Sequence, residues 1–315
     1  MGERVQTGAL SAAMPDITIN FGRYQGDASV HTRAARLFGA ELGGSIAFNL
    51  EANITETPGA KASDLLGLVA AGDLTMCYFA SSYLARQVPE VGVFDVPFLI
   101  ESREAAYAAL DGNLGTLLKD RFAANTGYRV LAFWDNGFRH FTNNARPLRT
   151  PADCAGLSIR SMNSELHQSA FRRLGFAPVF IDVADYPAAV ASGQVDAQEN
   201  PLTNSYQFSV HKYHPYFTLS GHLFGVSLLL CNKQIFDGWP EDARDAVIHA
   251  AGVATKAQRG FAVAEDADMM ARLAAEGIEP LTLTDAERAA FKDAVQPVLD
   301  GARADLGEDI FRTLS

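Results

Sequence analysis

From residue 16 to residue 79 the chain alternates strand and helix patterns, and that order leaves few folds open to it. Asp16 to Phe21 (DITINF) alternates and is β-branched, as a half-buried strand requires. Gly22 to Ser29 reads as a loop and His31 to Leu42 as an amphipathic helix. Ser45 to Ala52 is a second strand, and Lys61 to Ala71 a helix ended by Gly72-Asp73. Leu74 to Phe79 is a third strand. A β-α-β-α-β order places parallel strands in an open sheet with helices packed on its faces.

A second set begins near residue 139. After helices at 101–110 and 114–124 and a strand at Tyr128 to Trp134, strands are expected at Leu157 to Arg160, Ala177 to Ile181 and near Val195. Helices at Ser164 to Leu174 and Tyr186 to Ser192 separate them. Pro240 to about Ala275 keeps helical periodicity far longer than an ordinary globular helix, enough for about 45 Å of rod. Thr284 and Glu287 fit a capping box that opens a last helix from Asp285 towards Val295. Two such α/β units form a cleft at their junction, at the carboxyl ends of the strands where ligands bind.

Bulk properties narrow the partners. A net charge of −11 lacks the basic face that nucleic acid requires. An anionic ligand would need local cations aimed into the cleft. No apolar run is long enough to span a bilayer, and Met1 to Ile17 lacks the basic and apolar regions of a secretory leader. An export signal already removed and a cytoplasmic protein both fit that start. Cys77, Cys154 and Cys231 sit far apart among apolar neighbours, which reads as three buried free thiols.

Catalytic patterns do not emerge. The sequence has no G-x-S-x-G elbow, H-E-x-x-H pair, P-loop or G-x-G-x-x-G following a strand. His211 and His214 are spaced three apart, yet no third ligand has matching spacing, so they read as solvated surface and no metal is expected. Asp182 and Asp185 precede a helix, where capping by Asp185 explains them as well as acid–base work does. No cofactor motif is present.

The central third carries the specific pattern. It runs Trp134-Asp-Asn-Gly-Phe-Arg139-His-Phe-Thr-Asn, then Arg146-Pro-Leu-Arg-Thr-Pro-Ala-Asp153, Gly156-Leu-Ser-Ile-Arg160, Asp185-Tyr186, Gly193-Gln-Val-Asp-Ala-Gln-Glu199-Asn200-Pro201 and Ser220-Gly-His222. Towards the amino end stand His31, Val88-Pro-Glu90, Asp95-Val-Pro-Phe98 and Leu110-Asp-Gly112. In order and spacing the chain resembles the solute-binding proteins of tripartite ATP-independent periplasmic (TRAP) transporters, the C4-dicarboxylate-binding (DctP-like) family, over nearly its whole length. It departs in having Ala197 where the family usually has glycine and Pro187 where it usually has tyrosine.

The resemblance implies a two-lobe periplasmic-binding-protein-like α/β fold with a ligand cleft between the lobes and a long connecting helix. The expected lobes are 16–138 with a return segment at about 223–262, and 139–222 with the C-terminal segment at about 263–315. It further implies a monomeric periplasmic protein that captures a small organic-acid anion and delivers it to the membrane permease subunits of a sodium-coupled transporter. By the same resemblance Arg160 pairs with the ligand carboxylate, Asn200 hydrogen-bonds near it, and Arg139 lies in or beside the site. The residues agree: Arg160 ends an apolar strand at the cleft, where a lone charge is costly unless an anion joins it. Its planar fork also matches a carboxylate. Pro201 holds Asn200 in an extended turn. Tyr24, in the first strand-to-helix loop, is either a cleft residue or an ordinary surface tyrosine. Phe79 and Trp134 end strands, a position that serves pocket wall and core alike. His222, in the strand returning to the first lobe, completes the candidates. A ligand sensor feeding a signalling receptor and an enzyme on a two-lobe scaffold are the rival readings.

Overall fold

The structure is a computed structural model describing residues 17–44 and 46–314. Asp16 and Ser45, the expected starts of the first two strands, lie outside the described residues. The opening unit forms as expected: β1 (Thr18–Arg23), α1 (Val30–Glu41), β2 (Ala47–Asn53), α2 (Asp64–Ala71) and β3 (Met76–Ala80). Ser29 caps α1, its hydroxyl accepting from the His31 amide at 3.2 Å. Ala34, Ala35 and Phe38 are the face that α1 buries against β1, with Phe38 and Phe21 ring centroids 6.0 Å apart. Fully burying a side chain such as Phe38 stabilises by roughly 1.5–3 kcal/mol. Gly72, at φ 85°, ends α2 in the left-handed region that glycine enters freely.

Helices α3 (Arg103–Asp111) and α4 (Asn113–Asn125) lead into β4, which runs through Tyr128–Asn143. This is more than twice the strand expected from periodicity. The second unit is β5 (Ser158–Ser161), α5 (Glu165–Leu174), β6 (Ala177–Phe180), α6 (Tyr186–Ala191) and β7 (Ala197–Asn200). After α7 (Leu202–Gln207) the chain returns through β8 (Tyr216–Asn232). Then come α8 (Lys233–Gly238), α9 (Glu241–Ala275), β9 (Leu281–Thr282), α10 (Asp285–Leu306) and α11 (Glu308–Arg312).

One sheet of order β2-β1-β3-β8-β4-β7-β5-β6 results, with β9 on β8. The outer strands on each side are parallel, whereas the two central ones run antiparallel. The two expected units are thus parallel within themselves, and the antiparallel pairing is added by the connections between them. The cause is that β4 and β8 cross between the lobes in opposite directions, pairing from Tyr128↔Asn232 to Asn143↔Tyr216. Their register shifts between Asp135 and Gly137, and Gly137 takes φ 87° opposite Gly225.

Separate cores lie on either side of that crossing. The first contains Phe21, Phe38, Tyr78, Trp134 and Leu228, and the second Phe141, Ile159, Phe171 and Phe291. At 35 residues, about 50 Å, α9 reaches both sides. Val247, Ala250 and Ala254 join the first core, while Met269 and Leu273 pack with Leu202 and Phe217. Gln258, fully buried, pins the helix to the register shift: it accepts from the Asp135 amide at 2.8 Å and donates to the Asp135 carbonyl at 2.6 Å. The capping box of α10 is present, Thr284 and Glu287 exchanging side chain-to-amide bonds of 3.3 and 2.8 Å. The helix continues past Val295 through Pro297, and its end, with α11, puts Ala302, Ile310 and Phe311 into the first core. The three cysteines are buried and free, as expected.

Candidate ligand-binding site

Among the described residues only two lysine or arginine side chains are buried, Arg139 and Arg160, each 2% exposed. Their surroundings differ completely. Arg139, projecting from β4, makes a two-pronged pair with Glu199 of β7, Nε to Oε2 at 2.5 Å and Nη2 to Oε1 at 2.8 Å. Nη2 also donates to the Glu199 carbonyl at 2.9 Å and to Asn200 Oδ1 at 3.1 Å. Burial alone would raise the Glu199 carboxyl. The Arg139 charge and its hydrogen bonds, with the His222 ring nearby, outweigh it and hold the group well below its ordinary range.

Arg160 is the next-to-last residue of β5, which lies between β6 and β7. Its Nε donates to the Ile181 carbonyl at 3.0 Å, and its guanidinium lies 4.9 Å above the Tyr186 ring. It has no ion-pair partner among the described residues. Tyr83, reaching over from the first lobe, feels its charge: burial raises the Tyr83 phenol and Arg160 opposes that rise. Outside this contact a cavity of about 790 Å³ opens between Lys61, Ser63 and Tyr83 on one side and Asn163, Ile181 and Asp182 on the other.

The remaining candidates divide into two groups. Tyr24 is buried, with its ring 4.9 Å from Phe79 and 5.2 Å from Tyr78, so it is no surface tyrosine. Phe79 and Trp134 are buried with it in the first-lobe core, and Trp134 Nε1 donates to Thr255 Oγ1 of α9 at 3.0 Å. His222 instead joins the Arg139 cluster. Its ring stacks on Phe141 at 4.0 Å, Nδ1 shares a 2.7 Å hydrogen bond with Ser220, and Nε2 lies 3.6 Å from Glu199. Asn200 donates to Gln198 Oε1 at 2.8 Å while its Oδ1 accepts from Arg139. Tyr186, one position early relative to the family, still reaches the site; its hydroxyl donates to the same Gln198 oxygen at 2.7 Å.

Several expectations are corrected. His211 and His214 are buried, not solvated: His211 stacks on Tyr206 at 4.3 Å, and His214 Nδ1 shares a 3.0 Å bond with Thr142. Their spacing follows from two separate packing contacts. Asp185 makes no side-chain cap on α6, whereas Asp182 Oδ1 accepts from the Ala184 amide at 3.0 Å. Sequence reasoning missed His167 and Asp95. His167 of α5 sits 2.9 Å from Asp95, a first-lobe residue that also accepts from Ser82 at 2.5 Å and Ser164 at 2.9 Å. Burial opposes ionisation of Asp95, yet His167 and the two hydroxyls hold its carboxyl below the ordinary value. The Asp95-Val-Pro-Phe98 motif was its one signal; nothing local marked the partner helix. Tyr78 and Tyr83 were missed because their pattern is that of any strand and the turn after it.

A two-lobe α/β body that buries a guanidinium with no ion-pair partner among the described residues is the architecture of cleft-closing solute-binding proteins. Residues 35–305 match the family described as bacterial extracellular solute-binding protein, family 7, and the chain belongs to that family. A solute-binding protein of Verminephrobacter eiseniae is 33% identical over 230 residues, 73% of this chain and 68% of that one. The 2,3-diketo-L-gulonate-binding periplasmic protein YiaO of Escherichia coli is 31% identical over 234 residues, 74% and 70% of the two chains. Among solved structures, the sugar acid binding protein DctPAm of Advenella mimigardefordensis, in complex with galactonate, superposes with a TM-score of 0.89. It is 26% identical and the match covers 95% of this chain and 97% of that one. A TRAP periplasmic solute binding protein of Sulfurospirillum deleyianum with bound succinate gives 0.87, at 26% identity, covering 95% and 98%. The two-lobe fold and the TRAP resemblance read from the sequence are borne out.

Proposed function

We propose that this chain captures a small organic-acid anion in its interlobe cleft and hands it unchanged to the membrane permease subunits of a TRAP-type transporter. The observation that carries this reading is Arg160: a buried guanidinium with no carboxylate paired to it among the described residues. A ligand carboxylate supplies the missing counter-charge, and the Asn200 amide stands on the neighbouring strand to help hold it. On the first lobe Tyr83 faces Arg160, and Phe79, Tyr24 and Trp134 belong to the aromatic cluster behind it. Arg139 and His222 act through Glu199 and Asn200, as positioning residues behind the site rather than as ligand contacts.

Capture follows from geometry. The cation belongs to the second lobe and the aromatic cluster to the first, so a ligand touching both binds the closed arrangement better and shifts the population towards it. The family is one of extracellular solute-binding proteins, which fits capture and release of an unchanged ligand. Periplasmic residence and a monomeric state complete the proposal; no helix among the described residues is long and apolar enough to cross a membrane.

Thermal unfolding across a panel of organic acids tests the reading. A ligand at about 100 times its Kd adds about 2.7 kcal/mol, a rise of several degrees for a chain of this size. No shift across the panel, with no acid released on denaturing the purified protein, would remove the binding role.

A further inference from the structure

The charge inventory of the site says more than that an anion binds: it limits how many charges the anion carries. Resting on the carboxylate-binding reading above, we infer that the ligand has a single carboxylate, held at Arg160, and an uncharged tail lying against the first lobe.

Tyr83 is the first-lobe ring set against Arg160, and behind it runs a continuous ladder of buried rings. Tyr83 meets Phe79 edge-on at 5.0 Å, Phe79 lies 4.9 Å from Tyr24, and Tyr24 lies 5.2 Å from Tyr78. Tyr78 in turn stacks on His31 at 5.1 Å and lies 5.9 Å from Trp134. Every member is neutral. Burial raises the phenols of Tyr24, Tyr78 and Tyr83, and it pushes His31 down to about 3, so its imidazole carries no charge at physiological pH. The other buried arginine is spent on Glu199. Arg103, partly buried, is held by Asp135 at 2.7 Å and Asp266 at 2.5 Å. Lys61 is exposed at the cleft mouth, where Asp182 and Asp185 line the same cavity. A second carboxylate on the ladder would lose its hydration and gain no counter-ion, and towards the mouth it would meet two acidic side chains. Hydroxyl and keto groups carry no such penalty, and His31 presents two ring nitrogens without a partner among the described residues.

The test uses pairs of acids that differ only at the far end: 4-hydroxybutanoate against succinate, and galactonate against galactarate. Affinity is read by calorimetry on the full chain after unfolding and refolding to strip any bound acid. The expected result is that in at least one pair the monocarboxylate binds at least tenfold tighter, that Arg160→Lys loses most of that affinity, and that Lys61→Ala leaves the preference unchanged. Dicarboxylates binding as tightly as their partners, still dependent on Arg160, would overturn the single-charge inference while leaving the carboxylate site intact. A dicarboxylate preference that vanishes in Lys61→Ala would overturn it too, by naming the second cation. Binding of any member that ignores Arg160, or binding by none, would bring down both the inference and the reading beneath it.

Discussion

Two arginines that look alike in the sequence do different work because of one neighbour each. Arg139 has Glu199 on the adjacent strand and is neutralised in place; Arg160 has a carbonyl and a ring face. Removing Arg160 should therefore weaken binding by about 2–5 kcal/mol, the usual cost of deleting one side of a desolvated charge pair. Calorimetry on Arg160→Ala checks this, and unchanged affinity would remove the residue from the site. Glu199→Gln should act on stability first. It leaves the buried Arg139 charge uncompensated, at a cost of about 3–5 kcal/mol. A urea midpoint unmoved by that substitution would show the pair to be dispensable to the fold.

At the scale of elements, what matters is how β4 and β8 pass from one lobe to the other. The register shift at Asp135 and Gly137 falls at this passage, fastened by Gln258 of α9 and by Arg103 on the Asp135 carboxylate at 2.7 Å. Gly137 has φ 87°, and a Cβ there would stand 3.0 Å from Pro201 Cβ, next to Asn200. Gly137→Ala should cost about 1–3 kcal/mol of stability through backbone strain. It should also weaken ligand binding, because the strain falls beside the turn that carries Asn200. Chemical denaturation and calorimetry on the same variant separate the two effects, and a variant as stable as the parent would show the turn to be relaxed.

Across the whole molecule, several buried groups respond to acid in the same direction. Burial pushes His31 down to about 3 and His214 to about 4, against an ordinary value near 6.5. The unfolded chain therefore takes up protons near pH 6.5 that the folded chain refuses, and stability falls as pH falls from there. Glu199 and Asp95, held below their ordinary values, add stability that is complete above about pH 4.5 and is lost on further acidification. Urea unfolding at pH 7 and pH 5 should differ by about 1–2 kcal/mol for each of the two histidines, with pH 7 the more stable. A flat profile over that range would mean that these imidazoles charge freely in the folded state.

Local patterns in the chain already determined the alternation of strand and helix, the capping box at Thr284 and Glu287, the length of α9 and the carboxyl-terminal position of Arg160 on its strand. Each of these rests on periodicity or on chemistry within a few residues, which a linear text carries in full. Motif order over most of the length determined the family as well. Only the tertiary structure decided that β4 and β8 run antiparallel across both lobes, because strand pairing joins residues 73 to 104 positions apart. It also decided which arginine stays uncompensated, that His211 and His214 are interior, and that Asp95 meets His167. These are questions of which distant side chain arrives within 3 or 4 Å of a charge, and in a buried site that distance settles what the charge can do.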